Sequence, residues 1–224
     1  VFRIQEHKTN FHVVGASFVS DKEGQYLNRS KFYITYAWHT QLTKKLSLSA
    51  GTSAGYFSYT VSESSANVSG GATAPDASLG LWIYTTAFYA GVSVNQIFNS
   101  ELTPLQETTT LIRHFNITSG YSFNVTRSFS MKPCALIRYA TTYPVDIDFA
   151  IIGTINRVFT LGVNYRHHKS VVPVLGFEKL AIGNGSLKAM FSYAVPAGRI
   201  ADNLQTYELT LSYDFSPLNK KPKK

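Results

Sequence analysis

Apolar and polar residues alternate with a period of two along most of the chain. In the stretch from Thr206 to Phe215, the apolar positions Tyr207, Leu209, Leu211, Tyr213 and Phe215 interleave with Glu208, Thr210, Ser212 and Asp214. Phe115, Ile117, Tyr121 and Phe123 alternate with Asn116, Thr118, Ser122 and Asn124. Phe129, Met131, Ala135, Ile137 and Tyr139 alternate with Ser130, Lys132 and Arg138. Val145, Ile147, Phe149 and Ile151 face away from Asp146 and Asp148, and Phe159, Leu161, Val163 and Tyr165 face away from Thr160, Asn164 and Arg166. Such alternation predicts β-strands with one apolar and one polar face. About twelve strands follow: Phe11–Phe18, Arg29–Trp38, Leu46–Tyr59, Ser78–Tyr84, Phe88–Val94, Arg113–Phe123, Phe129–Tyr139, Val145–Ile155, Val158–Tyr165, Val171–Phe177, Ser186–Val195 and Thr206–Phe215. No amphipathic helix stands out; at most one helical turn is expected within Asn95–Thr110.

Two architectures satisfy this pattern. A soluble sandwich turns its apolar faces inward; a membrane barrel turns them toward lipid and lines its lumen with the polar ones. The apolar faces carry no charge, as lipid contact demands. The polar faces hold mainly Ser, Thr, Gly and Asn, with few charges of both signs. Many strands run long enough to cross a bilayer at a tilt. Aromatics sit near strand ends, among them Trp38, Tyr59, Tyr84, Phe88, Tyr121, Tyr139, Tyr143, Tyr165, Tyr193, Tyr207 and Phe215. They suit interfacial girdles. The expected fold class is therefore all-β, an antiparallel transmembrane β-barrel of the outer-membrane type spanning residues 1–215. Residues 216–224 form a basic, disordered periplasmic tail.

Composition agrees. Of 224 residues, 44% are hydrophobic and only 15% charged, which excludes intrinsic disorder. A mean hydropathy of −0.05 is what alternating strands average to. The single cysteine, Cys134, excludes an intrachain disulfide and any multi-cysteine metal site. The net charge of +8 is spread thinly apart from Lys220, Lys221, Lys223 and Lys224, so no nucleic-acid partner is expected. The chain starts without Met and without a secretory leader, as a processed or trimmed chain would.

With the C-terminus on the periplasmic side, connections alternate outward from Phe215. Val19–Asn28, Thr60–Ala77, Asn95–Ile112, Ala140–Pro144, Arg166–Ser170 and Pro196–Gln205 become external. His39–Lys45, Thr85–Ala87, Asn124–Ser128, Asn156–Arg157 and Glu178–Gly185 become periplasmic. The longest loops then lie outside and most short turns inside, as outer-membrane barrels prefer, with Glu178–Gly185 an exception. Ser62–Ala77, rich in Ser, Gly and Ala, reads as a flexible loop.

Chemistry-bearing motifs are sparse. Adjacent His167 and His168 on a strand point to opposite faces and cannot chelate one ion together. Asp146 and Asp148 share a face, and ion pairing with Lys132 or Arg138 explains them better than acid–base catalysis. These residues, with Arg166, Lys188 and Glu208, form an expected lumen charge network. His114 packs at the rim. No Gly-x-Ser-x-Gly or His-Glu-x-x-His motif occurs, so no catalytic residues, cofactor or metal are expected. Tyr207, Leu209, Leu211, Tyr213 and Phe215 read as a C-terminal barrel-assembly signal, an edge strand able to add to an insertion machine's sheet.

Several segments together resemble one family. They are SLGLWIYTTAFYAGVSVNQIF at 78–98, RHFNITSGYSF at 113–123, SFSMKPCALIRY at 128–139, PVDIDFAIIGTINRVFTLGVNYR at 144–166 and YELTLSYDF at 207–215. Upstream, VVGASFVSDKEG, ITYAWHTQL and KKLSLSAG fit as well. In order and spacing they resemble the PorP/SprF family of type IX secretion outer-membrane proteins, from about Phe11 to Phe215. The resemblance implies a barrel in the outer membrane of Bacteroidota; family members normally begin with an Asn-Pro-rich segment and additional strands, from which this sequence departs, so that either a first N-terminal hairpin is missing from it or its barrel is smaller. It implies a non-enzymatic accessory that helps secrete or anchor a surface protein of the gliding-adhesin type. The implied partners are outer-membrane lipids, the type IX translocon or periplasmic components, and a secreted adhesin. A passive porin or hydrophobic-substrate channel is the alternative, and a barrel-wall serine–histidine hydrolase a more distant one.

Overall fold

A computed structural model describes residues 2–5, 9–24, 26–63, 68–167, 169–183, 185–196 and 206–215. His7, His168 and the basic tail from Ser216 to Lys224 lie outside the described residues, as does most of the Pro196–Gln205 connection.

The described residues form strands and turns, with no helix among them. The strands are β1 (Phe2–Gln5), β2 (Phe11–Glu23), β3 (Leu27–Gln41), β4 (Ser47–Glu63), β5 (Val68–Tyr84), β6 (Phe88–Asn95), β7 (Glu101–Leu102), β8 (Thr109–Thr110), β9 (His114–Tyr121), β10 (Phe123–Asn124), β11 (Phe129–Ala140), β12 (Tyr143–Ile155), β13 (Phe159–Arg166), β14 (Ser170–Ile182), β15 (Gly185–Pro196) and β16 (Thr206–Phe215). In the main sheet neighbours follow chain order from β1 to β16, with β10 beside β11 and with β7 and β8 forming a separate hairpin. Every described pairing is antiparallel. Among the described residues no pairing joins the two ends of this order.

Each of the twelve expected strands has its counterpart, and several run longer. Residues 64–67 of the expected flexible loop Ser62–Ala77 lie outside the described residues, and from Val68 to Ala77 the chain is strand rather than loop. Val68–Tyr84 is one continuous strand, paired with β4 from Ser47↔Tyr84 out to Glu63↔Val68. Small residues are poor strand formers alone, but here each residue of β5 stands in register with one of β4, and that pairing overrides propensity. Likewise Glu178–Gly185 is mostly strand, because β14 continues to Ile182 past an irregularity between Phe177 and Leu180. The helical turn expected in Asn95–Thr110 is absent; the β7–β8 hairpin stands there instead. At Asn156–Arg157 both residues have positive φ (51° and 60°), and Val158 N–H donates to the Ile155 carbonyl at 3.0 Å. These two residues form a tight turn whose twist matches its strands, and because Ile155 pairs with Phe159, Val158 is a third residue in the connection.

The sheet divides into two compact units, Val1–Thr118 with Arg138–Val145, and Ser119–Ile137 with Asp146–Lys224. In each, the alternation has an inverted sense: the apolar face is the open one. In the first unit, Phe32, Ile34, Tyr36 and Trp38 of β3 are exposed, while Lys31, Tyr33, Thr35 and Ala37 are sheltered. In the second, Leu161 is 57% exposed and its neighbour Thr160 only 1%. Phe149, at 58%, and Leu209, at 68%, are equally open. A water-soluble sandwich would bury these three residues between stacked sheets; here nothing covers them. An exposed apolar surface repeated on strand after strand is far more than the few hundred Å² a soluble monomer tolerates.

Candidate functional site

The chemistry-bearing side chains collect on the sheltered face. In the first unit its centre is the row Tyr33–Gly55–Asp76, directly opposite one another across β3, β4 and β5. Gly55 has no side chain to block the row, and a Cβ there would run into the Phe32 carbonyl of β3. The Tyr33 hydroxyl therefore reaches across to donate to Asp76 Oδ2 at 2.5 Å, and Ala77 N–H donates to Asp76 Oδ1 at 2.7 Å. Asp76 is 3% exposed; a carboxylate that deep is tolerable only with such donors. Beside it, the hydroxyls of Thr35 and Ser53 lie 2.9 Å apart.

Toward the opposite end of β3, His39 stacks on Phe11 with ring centroids 4.3 Å apart. Its Nε2 lies 3.4 Å from Ser49 Oγ and its Nδ1 3.3 Å from the Tyr84 hydroxyl. A serine beside a histidine suggests a nucleophile and base. However, the contact is long, Ser49 is buried, and the residue orienting the ring is a phenol rather than a carboxylate. The trio is polar bracing between β3, β4 and β5. His114, at the start of β9, has its Nε2 3.3 Å from Asn95 Nδ2. Among the described residues, no group of three His, Cys, Asp or Glu side chains could hold a metal ion.

One connection of the first unit is folded onto the sheltered face. Positive φ at Gln96 (55°) and Asn99 (48°) turns the chain back over β5. Leu102 and Leu111 then pack with Phe57 of β4 and Ala74 of β5, flanked by Tyr59 and Ala72. Lys31 lies over the Phe57 ring at 5.1 Å, and Arg29 over the Tyr59 ring at 5.7 Å.

In the second unit, the expected charge network is placed as follows. Asp146 pairs with Lys169 of the β13–β14 turn at 2.7 Å. Lys188 pairs with Glu178 of β14 at 3.7 Å. Neither Lys169 nor Glu178 figured in the sequence-based set: alternation assigns a face, whereas partners depend on register. Asp148 stands directly across from Arg166 and is buried. Lys132 is half-buried on the same side of β11 as Cys134, whose thiol lies 3.9 Å from the Lys132 carbonyl. Arg138, at the β11 end that belongs to the first unit, is half-buried between the exposed Ile137 and Tyr139. Glu208 faces Ser192 across β15–β16 and is exposed. Tyr207, Leu209, Leu211, Tyr213 and Phe215 occupy one face of β16, the last strand in the order, and all are exposed.

No helix among the described residues is long and apolar enough to cross a membrane. The comparison with curated proteins returned no match. The family model for the type IX secretion system membrane protein PorP/SprF matches residues 2–213. With open apolar strand faces and a match of that extent, the chain belongs to the PorP/SprF family of type IX secretion system membrane proteins.

Proposed function

We propose that the chain forms a closed transmembrane β-barrel in the outer membrane and works as a non-enzymatic accessory of type IX secretion. In this reading the open apolar faces meet lipid, the sheltered faces line the lumen, and the C-terminus is periplasmic. Lys132, Arg138, Asp146, Asp148, Arg166, Lys188 and Glu208 belong to a lumen charge network, and the aromatic series ending at Phe215 serves as the assembly signal. External connections and the rim present or retain a secreted surface protein of the adhesin type, while the periplasmic turns meet the secretion apparatus.

The observation that carries the reading is the uncharged open face of Phe159, Leu161, Val163 and Tyr165. It continues onto Phe149, Ile151 and Ile155 of β12 and onto Pro173, Leu175 and Phe177 of β14. Such a surface is stable in hydrocarbon and costly in water. Family membership supports the link to secretion. Purification from native membranes in mild detergent, followed by identification of co-purifying proteins, tests the role. A secretion component or surface adhesin is expected; recovery of the barrel alone would overturn it. A passive channel is the competing reading, favoured by the Ser- and Thr-rich sheltered face. Steady conductance with normal secretion after gene deletion would establish it instead.

A further inference from the structure

We propose that residues 96–113 are a strap that closes the lumen of this barrel, so that the resting protein is occluded and opening requires the strap to leave its seat. The inference rests on the barrel reading above and adds a regulated state to it.

The strap is pinned to β5 at its start and tied back onto that start at its return. Ile97 N–H donates to the Ala77 carbonyl at 3.1 Å, and Ser100 Oγ donates to the Pro75 carbonyl at 2.8 Å. At the return end, Arg113 N–H donates to Asn99 Oδ1 at 2.7 Å, and the Arg113 guanidinium donates to the Ile97 carbonyl through Nε, at 3.1 Å, and through Nη2. Between the pins, Leu102 is 2% exposed.

The wall beneath is shaped for it. The sheltered face of β3–β5 carries Lys31, Tyr33, Thr35, Ser49, Ser53, Asp76 and Ser78, with Ala37 and Trp82 among them; under the strap it becomes Phe57 and Ala74, and this cluster also takes in Leu111. An apolar island on a polar lumen wall would be a liability if water covered it; under Leu102 and Leu111 it is a seat. At Gly70 a Cβ would collide with the Pro104 carbonyl, so the glycine is what lets the strap lie against β5. Beyond this seat the tip of the strap stands off from the wall. A cleft of about 700 Å³ separates Pro104, Leu105, Gln106, Glu107 and Thr109 from Leu27, Tyr59 and Val61.

Leu111 N–H donates to the Ser100 carbonyl at 2.8 Å, so the strap's ends meet and residues 101–110 can be replaced by Gly-Ser without stretching the chain. Purified full-length chain, this deletion, Leu102→Asp and Leu102→Met are to be compared in planar bilayers. Gel migration with and without heating reports the folded barrel independently. Low conductance is expected for the parent and Leu102→Met, and conductance several-fold higher for the deletion and for Leu102→Asp. If the parent conducts as freely as the deletion, or if all four fold as barrels and stay silent, the strap closes nothing and the proposal falls. Absence of heat-modifiable migration in the parent would instead bring down the barrel reading, and the strap with it. Should the deletion fail to fold, Leu102→Asp against Leu102→Met carries the same comparison.

Discussion

Replacing Leu161 by Arg separates a lipid-facing strand from a water-facing one. Leu161 sits in the middle of the open face of β13, between Phe159 and Val163, and lies opposite Gly153 on one side and Leu175 on the other. With 57% of it exposed, protein covers less than half of the residue. If the remainder faces water, Arg at this position is a surface change within about 0.5 kcal/mol. If it faces the bilayer interior, the cost is about 2–4 kcal/mol, falling toward the interfaces. Leu161→Ala gives a second number. It removes three carbon groups at about 0.8 kcal/mol each, for a loss near 2.4 kcal/mol when lipid solvates the open part and near 1 kcal/mol when only the covered part counts. The assay is reversible urea unfolding from lipid vesicles, followed by fluorescence of Trp38 and Trp82 and by gel migration before and after heating. Losses of the larger size for both variants are expected. An Arg variant as stable as the parent would refute the assignment of the open face to hydrocarbon.

Other substitutions probe the sheltered face and the ends of the chain. Tyr33→Phe removes a hydrogen bond to a buried carboxylate and should cost about 1.5–3 kcal/mol in the same unfolding assay. Gly55→Ala places a methyl group against the Phe32 carbonyl and should cost about 1–3 kcal/mol, with loss of the Tyr33–Asp76 contact visible as altered tyrosine absorbance. Lys188→Ala breaks a 3.7 Å ion pair in which the lysine side chain is 43% exposed, so it should change stability by less than about 1 kcal/mol. Phe215→Ser should leave refolding in detergent unchanged while lowering the amount inserted in cells, measured by membrane fractionation, because it alters the exposed end of the last strand rather than a packed one.

Strand identity was legible because the chain alternates without interruption where it must. In β16 and β13 no charge falls among the apolar positions, and both elements begin and end within one residue of where the pattern places them. Where side chains shrink to Ser, Gly and Ala, as in Ser69–Ala74, polarity no longer alternates and only backbone pairing with β4 reveals the strand. The four-residue β1 is too short to show a period. The strap was illegible for another reason: the apolar residues of 96–113 follow no strand or helix period, and the seat of Leu102 and Leu111 on Phe57 and Ala74 is distant in sequence. The charge pairs show the same limit. Alternation located Asp146 and Lys188 on the polar side, but Lys169 and Glu178 reach them through a turn and a cross-strand neighbour.

The 17-residue length of β4 and of β5 has a topographic consequence. At about 3.4 Å per residue each strand measures nearly 60 Å, and even tilted by 45° it rises about 40 Å. The apolar band of such barrels is only about 25 Å tall. In the proposed barrel the β4–β5 ribbon would therefore overhang the membrane like a stiff awning, carrying its Ser, Gly and Ala stretch at 69–74 beyond the apolar band.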